Sequence, residues 1–134
     1  MPDTTTPYAL KKTVASDFDT TVQAIKAALA EQGFGILTEI DVATTLKKKL
    51  NVDTPKTLIL GACNPHLAHR AMLAVPDVSV FLPCNVVVRE NPQGEVEIAA
   101  MNPEAMGAMI RHPELSNVAA EADKRIRTAM NAVN

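Results

Sequence analysis

Thr57-Leu58-Ile59-Leu60-Gly61-Ala62-Cys63-Asn64-Pro65 changes character partway along its length. Thr57 to Ala62 is a short apolar run of the kind that forms a buried strand. It runs straight into Cys63-Asn64-Pro65, where asparagine is placed to cap a helix and proline to occupy its first position, whose N–H would have no partner in any case. That helix extends through Leu67, Ala68, Ala71 and Met72 to about Val75. The stretch therefore predicts a strand that delivers a thiol to the mouth of a helix.

Toward the N-terminus, Phe34 to Ile40 is apolar and strand-length. Asp41 then caps a brief helix with Val42, Leu46 and Leu50 on one stripe. Lys47, Lys48 and Lys49 fall in its last turn, where cations complement the carbonyl end of the helix dipole and read as a solvated end. Earlier still, Tyr8 to Val14 reads as a strand and Ser16-Asp17-Phe18-Asp19 as a variant capping box. The helix it opens carries Phe18, Val22, Ile25 and Leu29 at helical spacing and stops at Gly33. Residues 1–7, polar and rich in Thr and Pro, are expected to be a flexible lead into a single domain over 8–134.

Toward the C-terminus, Val80 to Arg89 is expected as a strand interrupted by Pro83, which belongs at an edge or bulge because it removes a ladder donor. Asn91-Pro92-Gln93-Gly94 turns the chain into a return strand, Glu95 to Met101, whose Val96, Ile98 and Ala100 share a face. Asn102-Pro103 starts a short helix. Pro113 opens a long one with Leu115, Val118, Ala122, Ile126, Ala129 and Val133 buried and Glu121, Lys124 and Arg125 toward water. The methionines at 101, 106, 109 and 130 read as core filling. One crossover pair combined with a hairpin makes an α+β domain, with a mixed or antiparallel sheet and helices packed mainly on one face.

Composition narrows the function. The chain has 134 residues, 47% hydrophobic and 21% charged, which suits one globular core. A net charge of -2 and an aromatic content of 3% give no basic stripe and no stacking platforms, so no nucleic-acid partner is expected. No run approaches a membrane span and the start lacks a signal-peptide pattern, so no membrane partner is expected and the cytoplasm is the expected location. Two cysteines in a chain of this size are expected to be thiols.

Four groups of residues are candidates for chemistry. Cys63, at a strand end before a helix N-terminus, sits where a thiol pKa can fall, although a small packing cysteine has the same signature. Pro83-Cys84-Asn85 echoes that turn, and a helix between neighbouring strands would bring Cys84 toward Cys63 as in a crossover unit. His66 and His69 follow Cys63 at helical spacing, and with Cys84 they would supply four ligands for zinc or another transition metal. Glu39 and Asp41 alternate along a strand end, so they share a face and read either as acid–base or cation ligands or as an exposed carboxylate and a cap. No phosphate loop or nucleophile elbow occurs, so no enzyme class is assigned and no cofactor is named.

Four segments in order, Gly35 to Asp41, Thr44 to Leu50, Ile59 to Pro65 and Leu82 to Val88, resemble the prokaryotic family catalogued as domain of unknown function 302, over about residues 8–133. The resemblance implies a curved sheet backed by helices, of the saddle-like TATA-binding-protein class, and association as a homodimer. It implies no reaction. Its recurring polar positions fall on Glu39, Asp41, Lys47, Cys63, Asn64, Pro65, Pro83, Cys84 and Asn85. The expected function is a small-ligand or partner-binding domain, with the site at Cys63, Asn64, Cys84 and Asn85 and with Glu39, Asp41 and Lys47 nearby. A polar or anionic ligand would use the helix-start N–H groups. The alternatives are a redox enzyme or sensor that uses Cys63 and Cys84, and a transition-metal binder.

Overall fold

The computed structural model describes residues 3–134. Strand β1 (Thr4–Thr5) pairs antiparallel with β2 (Ala9–Val14), Thr5 opposite Leu10. Positions 1 and 2 lie outside the described residues, and the rest of the N-terminal stretch is drawn into a hairpin because the Thr6 hydroxyl accepts from the Ala9 N–H at 2.8 Å and Asp3 accepts from the Thr13 N–H at 2.7 Å. Helix α1 (Phe18–Glu31) starts where Asp17 accepts from the Thr20 N–H at 2.7 Å. It buries Val22, Ile25, Ala28 and Leu29 and gives way at Gly33, whose φ of 85° lies in the left-handed region.

β3 (Gly35–Asp41) leads directly into α2 (Val42–Leu50), capped by Asp41 through the Thr44 N–H at 3.0 Å. β4 (Thr57–Cys63) and α3 (Pro65–Ala74) form the strand-to-helix junction that the sequence announces. A 3-10 helix, Pro76–Phe81, precedes β5 (Cys84–Glu90), which turns through Asn91–Gly94 into β6 (Val96–Met101). Helices α4 (Pro103–Met109) and α5 (Pro113–Asn131) complete the chain. The strand expected from Val80 thus begins only at Cys84. Pro83, lacking a ladder donor, stands just outside it after a cis Leu82–Pro83 peptide, and β5 is central in the sheet instead of at its edge.

The sheet is open and runs β1-β2-β6-β5-β4-β3, with every pairing antiparallel. After β2 the chain crosses through α1 to the far edge, then walks back strand by strand until β6 lies beside β2. The connection through α3 is therefore not a crossover, because it returns the chain to a neighbouring strand running the opposite way. Leu60, Val86, Val88, Ile98 and Leu10 form the inner face of the sheet against Ile25 and Leu29 of α1 and Ile126 and Met130 of α5. A second cluster at one end of the sheet joins Leu67 and Ala71 of α3 to Val78, Met106, Leu115 and Val118. No helix among the described residues is long and apolar enough to cross a membrane.

Polar side chains tie the two clusters together. Arg70 of α3 donates to Glu114 at 2.8 Å and to Glu121 at 2.9 Å, both on α5, and Arg125 donates to the Gln32 carbonyl at 3.2 Å. Glu121 and Arg125 are therefore paired across elements, and of the three residues expected to face water only Lys124 is fully exposed. Arg70 and then Arg125 hold the Glu121 carboxyl below the ordinary carboxylate range. Met106 and Met130 are buried as expected, whereas Met109, the last residue of a helix of seven, is exposed. Helix α2 exists where predicted, yet none of its residues is buried and Leu50 is 65% exposed.

Gly61 is the tightest point in the sheet. It lies opposite Thr38 in β3, at a register shift between Ile36 and Thr38, and a Cβ there would collide with the Thr38 hydroxyl and approach Pro83 Cγ to 3.0 Å. Gly61→Ala is expected to cost about 1–3 kcal/mol of stability in urea unfolding, the usual range for overpacking. Thr38→Ala in the same chain should recover part of that loss. An unfolding midpoint equal to wild type for Gly61→Ala would refute the clash.

Candidate functional site

Three neighbouring strands present their ends on the same side of the sheet. β4 finishes at Cys63, β5 begins at Cys84, and β6 finishes at Met101. Ala62 lies opposite Cys84 and Val86 opposite Ala100, so the three ends are adjacent in the ladder. Above them α3 contributes Leu67, Ala68 and Ala71, α4 contributes Met106, and α5 contributes Val118 and Ala122. These elements form a partly open pocket of about 30 Å³ lined by both cysteines, Phe34 and Leu82, with a wall that is almost wholly apolar. A water needs about 10–15 Å³ of such space, so the pocket holds about two or three water-sized occupants.

Both cysteines are free thiols and half-buried. Burial, followed by the neighbouring Cys63, pushes the Cys84 thiol up to about 11. An apolar wall disfavours the anion, and a second sulfur that can itself ionise disfavours it further. Cys84 is therefore a neutral thiol at physiological pH.

Asn64 is 7% exposed, and its polar atoms are already engaged. Its Oδ1 accepts from the Leu67 N–H at 3.3 Å, capping α3, and its Nδ2 donates to the Gln32 carbonyl at 3.3 Å. Asn64 shapes the pocket through these two bonds. Asn85 lies one residue past Cys84 in the strand and is exposed on the opposite face, in a shallow groove with Tyr8, Lys11, Val87 and Arg89. The two Cys-Asn turns thus bring their cysteines together but not their asparagines.

The remaining predicted residues lie apart from the thiols. Glu39 accepts from Lys26 of α1 at 2.8 Å and Asp41 caps α2; both stand on the helix-bearing face, as their alternation predicts. Gly35 is opposite Cys63 in the ladder, and Asp41 lies six residues farther along, about 20 Å away. Lys47 pairs with Asp53 at 3.1 Å on the exposed side of α2. His66 and His69 are exposed on α3 and do not line the pocket, and no three His, Cys, Asp or Glu side chains gather as a metal set among the described residues. Met101, Met106, Val118 and Ala122 line the pocket although the sequence reading assigned them to the core. Nothing in their own spacing marks them, because their proximity to the thiols comes from strand order.

A family model described as domain of unknown function DUF302 matches residues 10–133. The chain belongs to the DUF302 family. A crystal structure of an uncharacterised DUF302 protein from Bacillus stearothermophilus matches it with a TM-score of 0.88 at 28% identity, covering 94% of this chain and 98% of that one. The comparison with curated proteins gives no match. The family and the α+β fold implied by the four sequence segments are therefore established, and the chemistry must be drawn from this DUF302 chain's own pocket.

A neutral thiol reacts with alkylating agents only through its small ionised fraction, which grows tenfold per pH unit below the pKa. Iodoacetamide labelling of Cys84 in the native DUF302 chain is therefore expected to be slow at neutral pH and to climb with pH toward a midpoint near 11. Mass spectrometry of the labelled peptide reads the rate. Rapid labelling on a plateau below pH 8 would overturn the assignment of Cys84 as a neutral thiol.

Proposed function

We propose that this DUF302 chain is a binding domain that holds a small ligand in the pocket at the Cys63 and Cys84 turns. The observation that carries this reading is the convergence of three strand ends and three helices on one thiol-lined cavity. A concave apolar pocket with a few placed functional groups is the ordinary form of a ligand site. The redox-enzyme alternative has less support. A thiolate nucleophile or resolving cysteine works through a lowered pKa, whereas burial drives Cys84 the other way. A strongly anionic ligand is also disfavoured, because Lys47 lies elsewhere and the pocket wall is apolar.

The test compares the chain as isolated, without chelator, with the same chain stripped by unfolding and refolding. Stripping should raise Cys84 labelling several-fold. Ala68→Leu, which narrows the pocket from α3, should label at the same rate before and after stripping. Equal rates in the wild-type chain would refute a resident ligand in this pocket.

A second copy of the chain is the partner that fits the free sheet edge. β3 ends the sheet among the described residues and exposes Leu37 and Ile40, 66% and 48% accessible. An exposed apolar edge strand is a liability unless something pairs with it. Sedimentation is expected to give about twice the 14.4 kDa chain mass. Leu37→Lys with Ile40→Lys should give a folded monomer whose melting temperature, unlike that of the wild type, does not depend on protein concentration. A wild-type monomer at micromolar concentration would refute the dimer.

A further inference from the structure

The pocket at the thiol end of the sheet is poor in polar partners. Ala62 of β4, Ala68 and Ala71 of α3 and Ala122 of α5 wall it with methyl groups, and Leu67 and Leu82 add larger apolar surface. Both side-chain polar atoms of Asn64 are bonded within the chain. The thiols of Cys63 and Cys84 act as small hydrophobes, with only weak donor and acceptor character. A polar group entering from water therefore gives up hydrogen bonds that the wall does not replace, whereas a hydrocarbon segment gains by leaving water. Space for about two or three water-sized occupants is space for the last two or three carbons of a chain, and the remainder must continue outside. We propose that the pocket takes the end of an aliphatic chain, whose following carbons lie over Met72 of α3. The inference rests on the pocket being a ligand site and supplies the ligand class.

Met72 gives the chain its path out. It stands one turn beyond Ala68, so the two side chains are neighbours on one face of α3, and at 39% exposure it is a large flexible side chain left partly in water. Leu73 is more exposed, at 74%, but lies about 100° farther round the helix, away from the side that Ala68 and Ala71 turn to the pocket. Exposure alone therefore does not single out Met72; its position beside a pocket residue does. Inside, Met106 is 5% exposed and supplies a second unbranched thioether side chain. Such side chains re-pack around apolar partners of different length, so the site reads the chain end and leaves the head group to solvent. Binding on these terms makes and breaks no covalent bond and leaves both thiols protonated.

The test titrates the stripped full-length chain with 1-alkanols from ethanol to decanol and reads the slowing of Cys84 alkylation by iodoacetamide at alkaline pH. Affinity should rise about fourfold per methylene, the increment for taking one methylene out of water. Urea, similar in size to propanol but polar throughout, should give no protection. Met72→Gln should weaken octanol several-fold and leave propanol unchanged, whereas Leu73→Gln should change neither. Solvent extraction of the chain as isolated, read by mass spectrometry, should release an aliphatic molecule. Phosphate in that molecule would place the chain on a membrane lipid, and its absence on a free aliphatic compound. Equal protection by urea and propanol, an affinity that does not change with chain length, or equal weakening by the two α3 variants would each overturn the proposal. If stripping raises Cys84 labelling and no alkanol restores the protection, the aliphatic class fails and the pocket reading stands. If stripping changes nothing and no alkanol protects, both fail.

Discussion

The carbonyl of Gln32, at the end of α1, is the point from which the thiol end of the sheet is built. It accepts from Asn64 Nδ2 and from Arg125 Nη1, so the end of one helix is tied both to the start of α3 and to the flank of α5. Asn64 can reach it only because position 33 is glycine. A Cβ there would stand 3.0 Å from Asn64 Nδ2, and its φ of 85° would strain other residues. The pocket inherits its shape from this node, since Phe34 follows Gly33, Cys63 precedes Asn64, and Ala122 lies one turn before Arg125. Leaving a buried amide unpartnered costs about 1–3 kcal/mol, so the arrangement is specific as well as close-packed.

That division between local and distant bonding also explains what could be read in advance. Helices α1, α3 and α5 announce themselves through caps and apolar periodicity within a dozen residues, and the β5–β6 hairpin through Asn91–Gly94. Sheet order does not, because antiparallel and crossover connections of this length have the same local pattern. The 3-10 helix before β5 was hidden for a related reason: Val80, Phe81 and Leu82 continue the apolar run of the strand, and only Pro83 marks the break. Asn64 and Asn85 look alike beside their cysteines, yet one caps a helix and the other alternates outward along a strand. Met101 and Met106 could not be joined to the thiols until β6 was known to neighbour β5.

Electrostatics limits what the two thiols can be. In an apolar enclosure each thiolate raises the cost of the other, so the site holds one sulfur anion more easily than two. The effect of burial on Cys84 is larger than that of Cys63, which places the constraint in the wall and not in the pair.

The edge formed by β3 and α2 is the least anchored part of the fold and is nevertheless coupled to the pocket. Nine residues make too short a helix to persist alone, and with nothing buried α2 depends on the Asp41 cap, the left-handed Asn51 and the three lysines at its carbonyl end. β3, however, pairs with β4 up to Gly35 opposite Cys63, and its Thr38 fills the space above Gly61 together with Pro83. Pro83 in turn immediately precedes Cys84. The chain Thr38, Gly61, Pro83, Cys84 is close-packed, and close-packed side chains transmit displacement because no void absorbs it. The packing around Gly61 therefore links the edge strand to the residue that sets the start of β5.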